Sequence, residues 1–263
     1  MGSLLDIDED LEAKRICSFI RETVNGAGSR GVVVGLSGGI DSSVVCALCV
    51  RAIGKKKVLG VVMPSESTPS ADVLDAETLA ESFEIETRKV EIGGLVRGLR
   101  IALGDGGTKV AAANLQARLR MTSLYYYANS KSRLVAGTGD RSELLVGFFT
   151  KWGDGGADFL PIAHLYKTQV RALGRHMGLP DKIVSKPSSP QLWPGHKAAD
   201  ELPADYDKLD PVLHYLFDMK LDASKAAAKG GVLPSVVMKV LEMNARTNHK
   251  RTLPPTIDIS GEG

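Results

Sequence analysis

The sequence predicts an α/β protein built on a doubly wound parallel sheet, with helices on both faces and additional helices toward the C-terminus. Three observations predict it. Short apolar, β-branched runs alternate with segments of helical period up to about residue 92, and connections this short imply right-handed crossovers and parallel pairing. The first such run passes through a glycine turn straight into a helix, in Gly31-Val-Val-Val-Gly-Leu-Ser-Gly-Gly-Ile-Asp-Ser-Ser43. Residues 211–248 return to helical spacing with no strand between them.

In chain order, residues 8–25 carry Leu11, Ile16, Phe19, Ile20 and Val24 at helical spacing and stop at Asn25-Gly-Ala-Gly28. Residues 32–34 form a buried strand. Residues 42–50 have helical composition, with Asp41 or Ser42 as the N-cap. Residues 57–63 give a second strand and 64–70 a turn-rich link. Residues 71–82 are a helix with Val73, Ala76, Leu79 and Ala80 on one side, and 85–92 offer a third strand. A helix over about 109–129 ends near Tyr125, Tyr126 and Tyr127, which line the core or form a contact surface. Residues 133–136 are a fourth strand, and Gly137-Thr-Gly-Asp-Arg-Ser-Glu143 is a second strand-to-helix transition. The helix is expected to continue over 144–151, with a flexible loop at 153–158 and a further helix over 161–177. Residues 184–206, rich in Pro, Ser and charge without apolar period, read as a lid or as locally disordered without ligand. One domain is expected over 1–263, with that lid.

Composition narrows the function. A hydrophobic fraction of 43% and a charged fraction of 24% suit a soluble globular protein. A net charge of +2 gives no basic excess for general nucleic-acid binding. No apolar run approaches the roughly 18 residues of a membrane span, and the acidic first twelve residues lack the apolar core of a secretory signal. A cytoplasmic location is expected. Cys46 and Cys49 form a Cys-x-x-Cys, but no second ligand pair accompanies them and they lie within an apolar helix, so packing is the expected role.

A strand, a glycine turn and a helix N-terminus present backbone N–H groups on the positive end of a helix dipole, which is a general way to hold phosphate. The loop lacks the Gly-Lys-Ser/Thr of a Walker A motif and the Gly-x-Gly-x-x-Gly of dinucleotide folds. Ser37-Gly-Gly-Ile-Asp-Ser42 resembles the pyrophosphate loop of the N-type ATP pyrophosphatases, which cleave ATP between the α and β phosphates. Asn114-Leu-Gln-Ala-Arg118, Gly137-Thr-Gly-Asp-Arg-Ser-Glu143, Phe149-Thr-Lys-Trp-Gly-Asp-Gly-Gly-Ala-Asp158, Lys167-Thr-Gln-Val170 and His249-Lys250 follow in order. With them the chain resembles the ammonia-dependent NAD synthetases from about Asp8 to Pro255, and Phe-Thr-Lys-x-Gly-Asp-Gly-Gly is the most specific of these matches.

The resemblance implies an adenine nucleotide α-hydrolase-like, Rossmann-like fold and a homodimer with the dinucleotide at the subunit interface. It implies amidation of deamido-NAD in two steps, with ATP as co-substrate and Mg2+ as cofactor. The nicotinate carboxylate attacks the α-phosphorus and releases pyrophosphate, and ammonia then displaces AMP from the acyl adenylate. At 263 residues there is no room for the amidase domain of glutamine-using synthetases, so ammonia is the expected donor. A separate glutaminase is not indicated.

Departing pyrophosphate calls for backbone N–H groups and a divalent metal. Asp41 and Glu143, each near a helix start at a strand's carboxyl edge, can supply carboxylates; the resemblance assigns both to Mg2+. Their plainer readings are a helix cap and a first-turn glutamate favoured by the dipole. Gly35, Leu36, Ser37, Gly38, Gly39, Ile40, Asp41 and Ser42 would hold ATP, and the resemblance adds Thr138, Lys167 and Ser188. Lys167 otherwise reads as a solvated helix lysine. By resemblance, Arg118, Lys151, Asp158, His249 and Lys250 would meet deamido-NAD; Arg118 otherwise reads as half of a surface ion pair. Asp154 is expected to capture and deprotonate ammonium, or to shape its glycine loop. Asp41, Glu143, Lys167 and Asp154 form the expected catalytic set. Two segments depart from the family pattern, Ser189-Pro190-Gln191-Leu192 where an aspartate is usual and Asp200-Glu-Leu-Pro203 where a glycine is usual. Both fall in the presumed lid and bear on its closing contacts and on Ser188.

Overall fold

Val32–Leu36 (β1), Val58–Val62 (β2), Glu86–Lys89 (β3) and Leu134–Ala136 (β4) pair in parallel in the order β3-β2-β1-β4. This is a computed structural model, and it describes residues 4–257 apart from 105, 190 and 194. Pro190, in the first departing segment, therefore lies outside the described residues. Val32 is in register with Val58 on one side and Leu134 on the other. Side chains alternate across the pleat. Val32, Val34, Leu36, Val58 and Val62 join the core on one face, and Val33, Leu59, Val61 and Val135 join the core on the other. Burial on both faces explains why β1 reads as an unbroken apolar run.

Helices Glu9–Gly26 (α1), Ile40–Ile53 (α2) and Ser70–Ser82 (α3) cover the first face, and Gly93–Leu103 (α4) and Lys109–Lys131 (α5) lie on the second. Arg141–Val146 (α6) follows β4. Lys167–His176 (α7) and Asp181–Val184 (α8) return to the first face, where Val170, Leu173, Ile183 and Val184 are buried. Tyr206–Leu213 (α9), a π turn at His214–Asp218, Ala223–Gly230 (α10) and Pro234–Arg246 (α11) build a third core around Leu209, Val212, Leu213 and Val240. The expected fold class is the observed one. Among the described residues, no helix is long and apolar enough to cross a membrane.

The topology fixes where ligands go. The chain steps from β1 to β2 to β3 toward one edge, then crosses back to β4 on the other side of β1. The strand order reverses between β1 and β4, and crevices at such switch points are the usual ligand sites of open α/β sheets. The glycine loop after β1 and residues 137–143 after β4 flank that crevice.

Several local expectations are corrected. α2 starts at Ile40 with Gly39 as N-cap and no side-chain cap, so neither Asp41 nor Ser42 is the cap. The hydroxyls of Ser42 and Ser43 instead donate to the Gly39 carbonyl, which frees the Asp41 carboxylate for other work. Gly38 has φ +74, and a Cβ there would lie 2.3 Å from the Asp72 carbonyl oxygen. Leu11 and Phe19 are exposed because α1 buries only the stripe Ala13, Ile16, Cys17, Ile20 and Val24. α4, not anticipated, buries none of its residues. The helix expected over 144–151 ends at Val146, where Gly147 turns left-handed at φ 70. The helix expected from 161 starts only at Lys167, where Gln169 reaches back to accept the Tyr166 N–H at 2.8 Å.

The loop at 153–158, expected to be flexible, is packed down onto α5. A Cβ on Gly153 or Gly156 would meet Ala117 or Met121 at under 3.0 Å. Cys46 and Cys49 are buried, and burial pushes the Cys46 thiol up to about 12, which suits packing. Tyr126 is exposed, while Tyr125 and Tyr127 pack against the second-face core.

Candidate active site

A cavity of about 440 Å³ opens at the carboxyl ends of β1, β2 and β4. Its floor is the glycine loop, and Met63, Thr138, Asn114, Arg120 and Glu143 contribute walls. Of the expected ATP residues, Gly35, Leu36, Ser37, Gly39, Ile40, Asp41, Ser42, Thr138 and Ser188 line it. Gly38 backs onto Asp72 behind the loop. The Ser37 hydroxyl lies 3.1 Å from that of Ser42, and the Gly39 N–H donates to Ser37 Oγ at 3.2 Å, which holds the turn in shape.

Lys167, the first residue of α7, is wholly buried beneath this floor rather than solvated. Its ammonium is 2.7 Å from Asp41 Oδ2, 2.9 Å from Asp140 Oδ2 and 2.9 Å from Glu143 Oε1. Burial disfavours the ammonium, but the three carboxylates outweigh it and hold the Lys167 pKa well above its ordinary value. Burial likewise raises the carboxyl of Asp140 to about 6 and that of Glu143 well above the usual carboxylate range, against the pull of Lys167. With all three carboxylates ionised, the cluster carries two negative charges in excess.

Each member is placed by its helix. Asp140 caps α6 by accepting the Glu143 N–H at 2.8 Å, and Glu143 closes the capping box toward the Asp140 N–H. The first-turn reading of Glu143 and its functional one therefore hold together. Ser142 Oγ accepts the Lys167 N–H at 3.0 Å and donates to Asp210 at 2.6 Å; Asp210 also accepts the Thr168 N–H at 2.8 Å. This pins the start of α7 to α9. The Tyr206 ring lies 5.3 Å from the ammonium.

The acidic cluster also fits a divalent cation. Asp41 Oδ1 is buried without a hydrogen-bond partner among the described residues, beside Glu143 and the excess negative charge. Among the described residues, no group of three or more His, Cys, Asp or Glu forms a complete metal site. Two protein carboxylates with phosphate and water oxygens is the arrangement Mg2+ commonly takes.

Elsewhere on the cavity wall, Asp154 is set deep in the protein while its carboxylate stays open to the cavity. Burial raises its pKa, opposed by the Thr150 N–H that it accepts at 2.8 Å and by the nearby charges of Lys250 and Arg120. Lys250 donates to the carbonyls of Gly147 at 2.7 Å and Phe149 at 2.6 Å, and burial lowers its pKa. Of the five expected dinucleotide residues, Lys250 alone lines the cavity. Lys151 donates to the His249 carbonyl at 2.6 Å and Arg118 to the Lys151 carbonyl at 3.4 Å, forming a chain of contacts outside the cavity wall. Asp158 accepts from Tyr125 at 3.1 Å and from the Val135 N–H at 2.7 Å, which ties it to β4.

From the expected lid, Lys186, Ser188, Gln191, Trp193 and His196 line the cavity. Lys186 donates to the Gly38 carbonyl at 2.9 Å, to Asp72 at 2.7 Å and to Asp75 at 2.6 Å. Gln191 reaches Asp72 as well, and Ser188 Oγ is buried without a hydrogen-bond partner among the described residues. Trp193 stacks on His196 at 3.4 Å, and His196 pairs with Glu201. Sequence reasoning did not single out Asp140, Arg120, Lys186 or Asp210. Asp140 stands inside a quoted motif and Lys186 beside another, but their roles depend on contacts 27 or more residues away.

A phosphate-shaped loop at the switch point of a parallel sheet, beside a cluster suited to a divalent cation, defines a nucleotide-binding α/β protein of Rossmann-like class. The NAD synthase family model matches residues 12–254, and the chain belongs to that family. It is 49% identical over 259 residues to NH(3)-dependent NAD(+) synthetase of Hyperthermus butylicus, covering 98% of this chain and 94% of that relative. Among solved structures it resembles NMN synthetase from Francisella tularensis, with TM-score 0.85 and 31% identity over 97% of this chain and all of the other. It also resembles NH3-dependent NAD synthetase from Campylobacter jejuni in complex with the nitrate ion, with TM-score 0.82 and 30% identity over 96% and 100% of the two chains.

Proposed function

We propose that this chain is an ammonia-dependent NAD synthetase that amidates deamido-NAD with ATP, releasing AMP and pyrophosphate. The observation that carries the reading is the meeting of the glycine loop with Asp41, Glu143 and buried Lys167 at one switch-point cavity. The glycine loop, Thr138 and Ser188 hold the triphosphate in this reading, with Lys167 fixing Asp41 and Glu143 from below. Mg2+ bound by those two carboxylates would offset the charge of the phosphate oxygens.

In the first step a carboxylate oxygen of the nicotinate bonds to the α-phosphorus as the bond to the bridging oxygen breaks, and pyrophosphate leaves with the electron pair. The loop N–H groups receive its charge. In the second, ammonia nitrogen bonds to the acyl carbon and the carbon–oxygen bond to AMP breaks. Asp154, open to the cavity and raised in pKa by burial, is suited to hold ammonium and take its proton. Arg118, Lys151, Asp158, His249 and Lys250 receive the dinucleotide, and residues 184–206 close over it as the lid of a single domain.

A homodimer completes the reading. α4 leaves Leu95, Leu99, Ile101 and Leu103 exposed beside Val110, and such a patch on α4 and α5 is covered most simply by its own symmetric copy. A monomeric mass by light scattering would refute it. A cytoplasmic location and the use of free ammonia, without a glutaminase partner, belong to the same reading.

A second reading takes a mononucleotide, nicotinate ribonucleotide, as the acid, because one structural relative is an NMN synthetase. The two are separated by incubating the protein with ATP, Mg2+ and ammonium plus either acid. NAD and AMP from deamido-NAD, at much higher kcat/KM than NMN from the mononucleotide, is the expected result. The reverse preference sustains the second reading, and no amide from either acid overturns both.

A further inference from the structure

Arg120 projects from α5 onto the cavity wall and donates to two neutral acceptors, the Met63 carbonyl at 3.1 Å and Ser65 Oγ at 3.4 Å. No carboxylate of a described residue lies within ion-pair distance of its guanidinium. Burial lowers its pKa to about 10, so it stays charged at neutral pH, and the nearest opposing charge is Asp154. Lys250 repeats the pattern: it donates only to backbone carbonyls, and Asp154 is the carboxylate that most favours its charge. Both side chains are half-buried, and a partly desolvated cation with only neutral partners favours an anion beside it.

The cavity is therefore bipolar. Beneath the glycine loop, three carboxylates surround one ammonium. Elsewhere on the wall of the same cavity, the cations Arg120 and Lys250 stand with the carboxylate of Asp154, and Glu201 acts more weakly on Lys250. The first pole wants a cation and the second wants an anion. We propose that Arg120 is a specificity-determining residue that receives the nicotinate carboxylate and, with Lys250, makes the site choose the acid over its amide. This rests on the amidation reading above.

The choice of a carboxylate over a phosphate follows from Asp154. If Asp154 holds the ammonium, the carbon to be amidated must lie beside it, in the same cavity that Arg120 and Lys250 line. Phosphates already have the glycine loop. The same guanidinium then serves both steps. It orients the carboxylate for attack on phosphorus, and it can receive the oxyanion formed when nitrogen adds to the acyl carbon. As that intermediate collapses, the carbon–oxygen bond to AMP breaks, AMP leaves with the electron pair, and the nitrogen's surplus proton passes to water, Asp154 having already taken the proton that freed ammonia from ammonium. The product carboxamide is neutral, cannot pair with Arg120, and is released.

The test is calorimetric titration of the wild type, Arg120→Gln and Arg120→Lys with deamido-NAD, with NAD and, separately, with Mg-ATP. The expected result is a wild type that binds the acid more tightly than the amide. Arg120→Gln should weaken acid binding about 10- to 100-fold, the range for loss of a charge-assisted hydrogen bond, and leave ATP within about threefold. Arg120→Lys should fall between. An unchanged acid-to-amide ratio in Arg120→Gln overturns the proposal, as does an ATP loss equal to the acid loss, which would make Arg120 a phosphate ligand. Should the glutamine variant not fold, a wild type with no preference for the acid, or a lysine variant with the wild-type ratio, overturns it equally. A wild type that prefers the acid but forms no NAD supports the carboxylate site while overturning the amidation reading.

Discussion

Lys167→Met removes one positive charge from the centre of the molecule and little else, since methionine fills most of the methylene space. Three carboxylates at 2.7, 2.9 and 2.9 Å then lose their shared counter-ion. Deleting one partner of a buried ion cluster costs about 3–5 kcal/mol. At roughly 2–4 °C per kcal/mol for a chain of this size, Tm should fall by about 6–20 °C. The loss should also depend on pH. The Asp140 carboxyl is raised from 3.8 to about 6 in the folded protein. A raised carboxyl contributes stability that is full below its unfolded value and is lost as pH rises through its folded value. Without the ammonium, Asp140 and Glu143 are raised further, so the variant's deficit is largest near pH 8 and shrinks near pH 5, where both carboxyls are protonated. Thermal unfolding of both proteins at the two pH values, with chelator present, measures this. A Tm drop under about 2 °C, or an equal drop at both pH values, would refute the cluster as the anchor of the site.

Asp41→Asn and Glu143→Gln should each lower kcat by about 10²–10³ or more, and should abolish the extra thermal stabilisation that Mg2+ adds to ATP; retained metal dependence would remove them as ligands. Gly38→Ala places a Cβ 2.3 Å from the Asp72 carbonyl at φ +74, so the loop must shift; a loss of about 1–3 kcal/mol and a raised KM for ATP are expected from denaturant titration and kinetics. Asp154→Asn should lower kcat/KM for ammonium by about tenfold or more while the KM for ATP holds, and an unchanged ammonium dependence would assign Asp154 to loop shape alone.

What the sequence made legible was local. The run Val32, Val33, Val34 and the turn Ser37-Gly38-Gly39 carry strand and loop in consecutive residues, and those features stand in the fold as read. Where neighbours compete for the same role, local reading slipped. Asp41 looked like a helix cap, but Gly39 takes the extended cap geometry and the serines bond its carbonyl, so Asp41 is free for the cavity. Lys167 looked solvated because nothing nearby in sequence pairs with it. Its partners lie 126, 27 and 24 residues away, and they meet only because β4 pairs beside β1 and α7 packs back against α2. Arg120 was invisible for the related reason that its significance is a missing partner. The apolar face of α4 was passed over because an unburied amphipathic helix has no core to announce it.

The most direct measurement follows oxygen through the first step. Deamido-NAD is prepared with heavy oxygen in both carboxylate positions and converted with ATP and ammonium in ordinary water, and the products are weighed by mass spectrometry. Attack of the carboxylate on the α-phosphorus, at the cavity where the glycine loop meets Asp41 and Glu143, predicts one labelled oxygen in AMP and the other retained in the NAD carboxamide. Label in orthophosphate with formation of ADP, or unlabelled AMP beside NAD, would contradict the account.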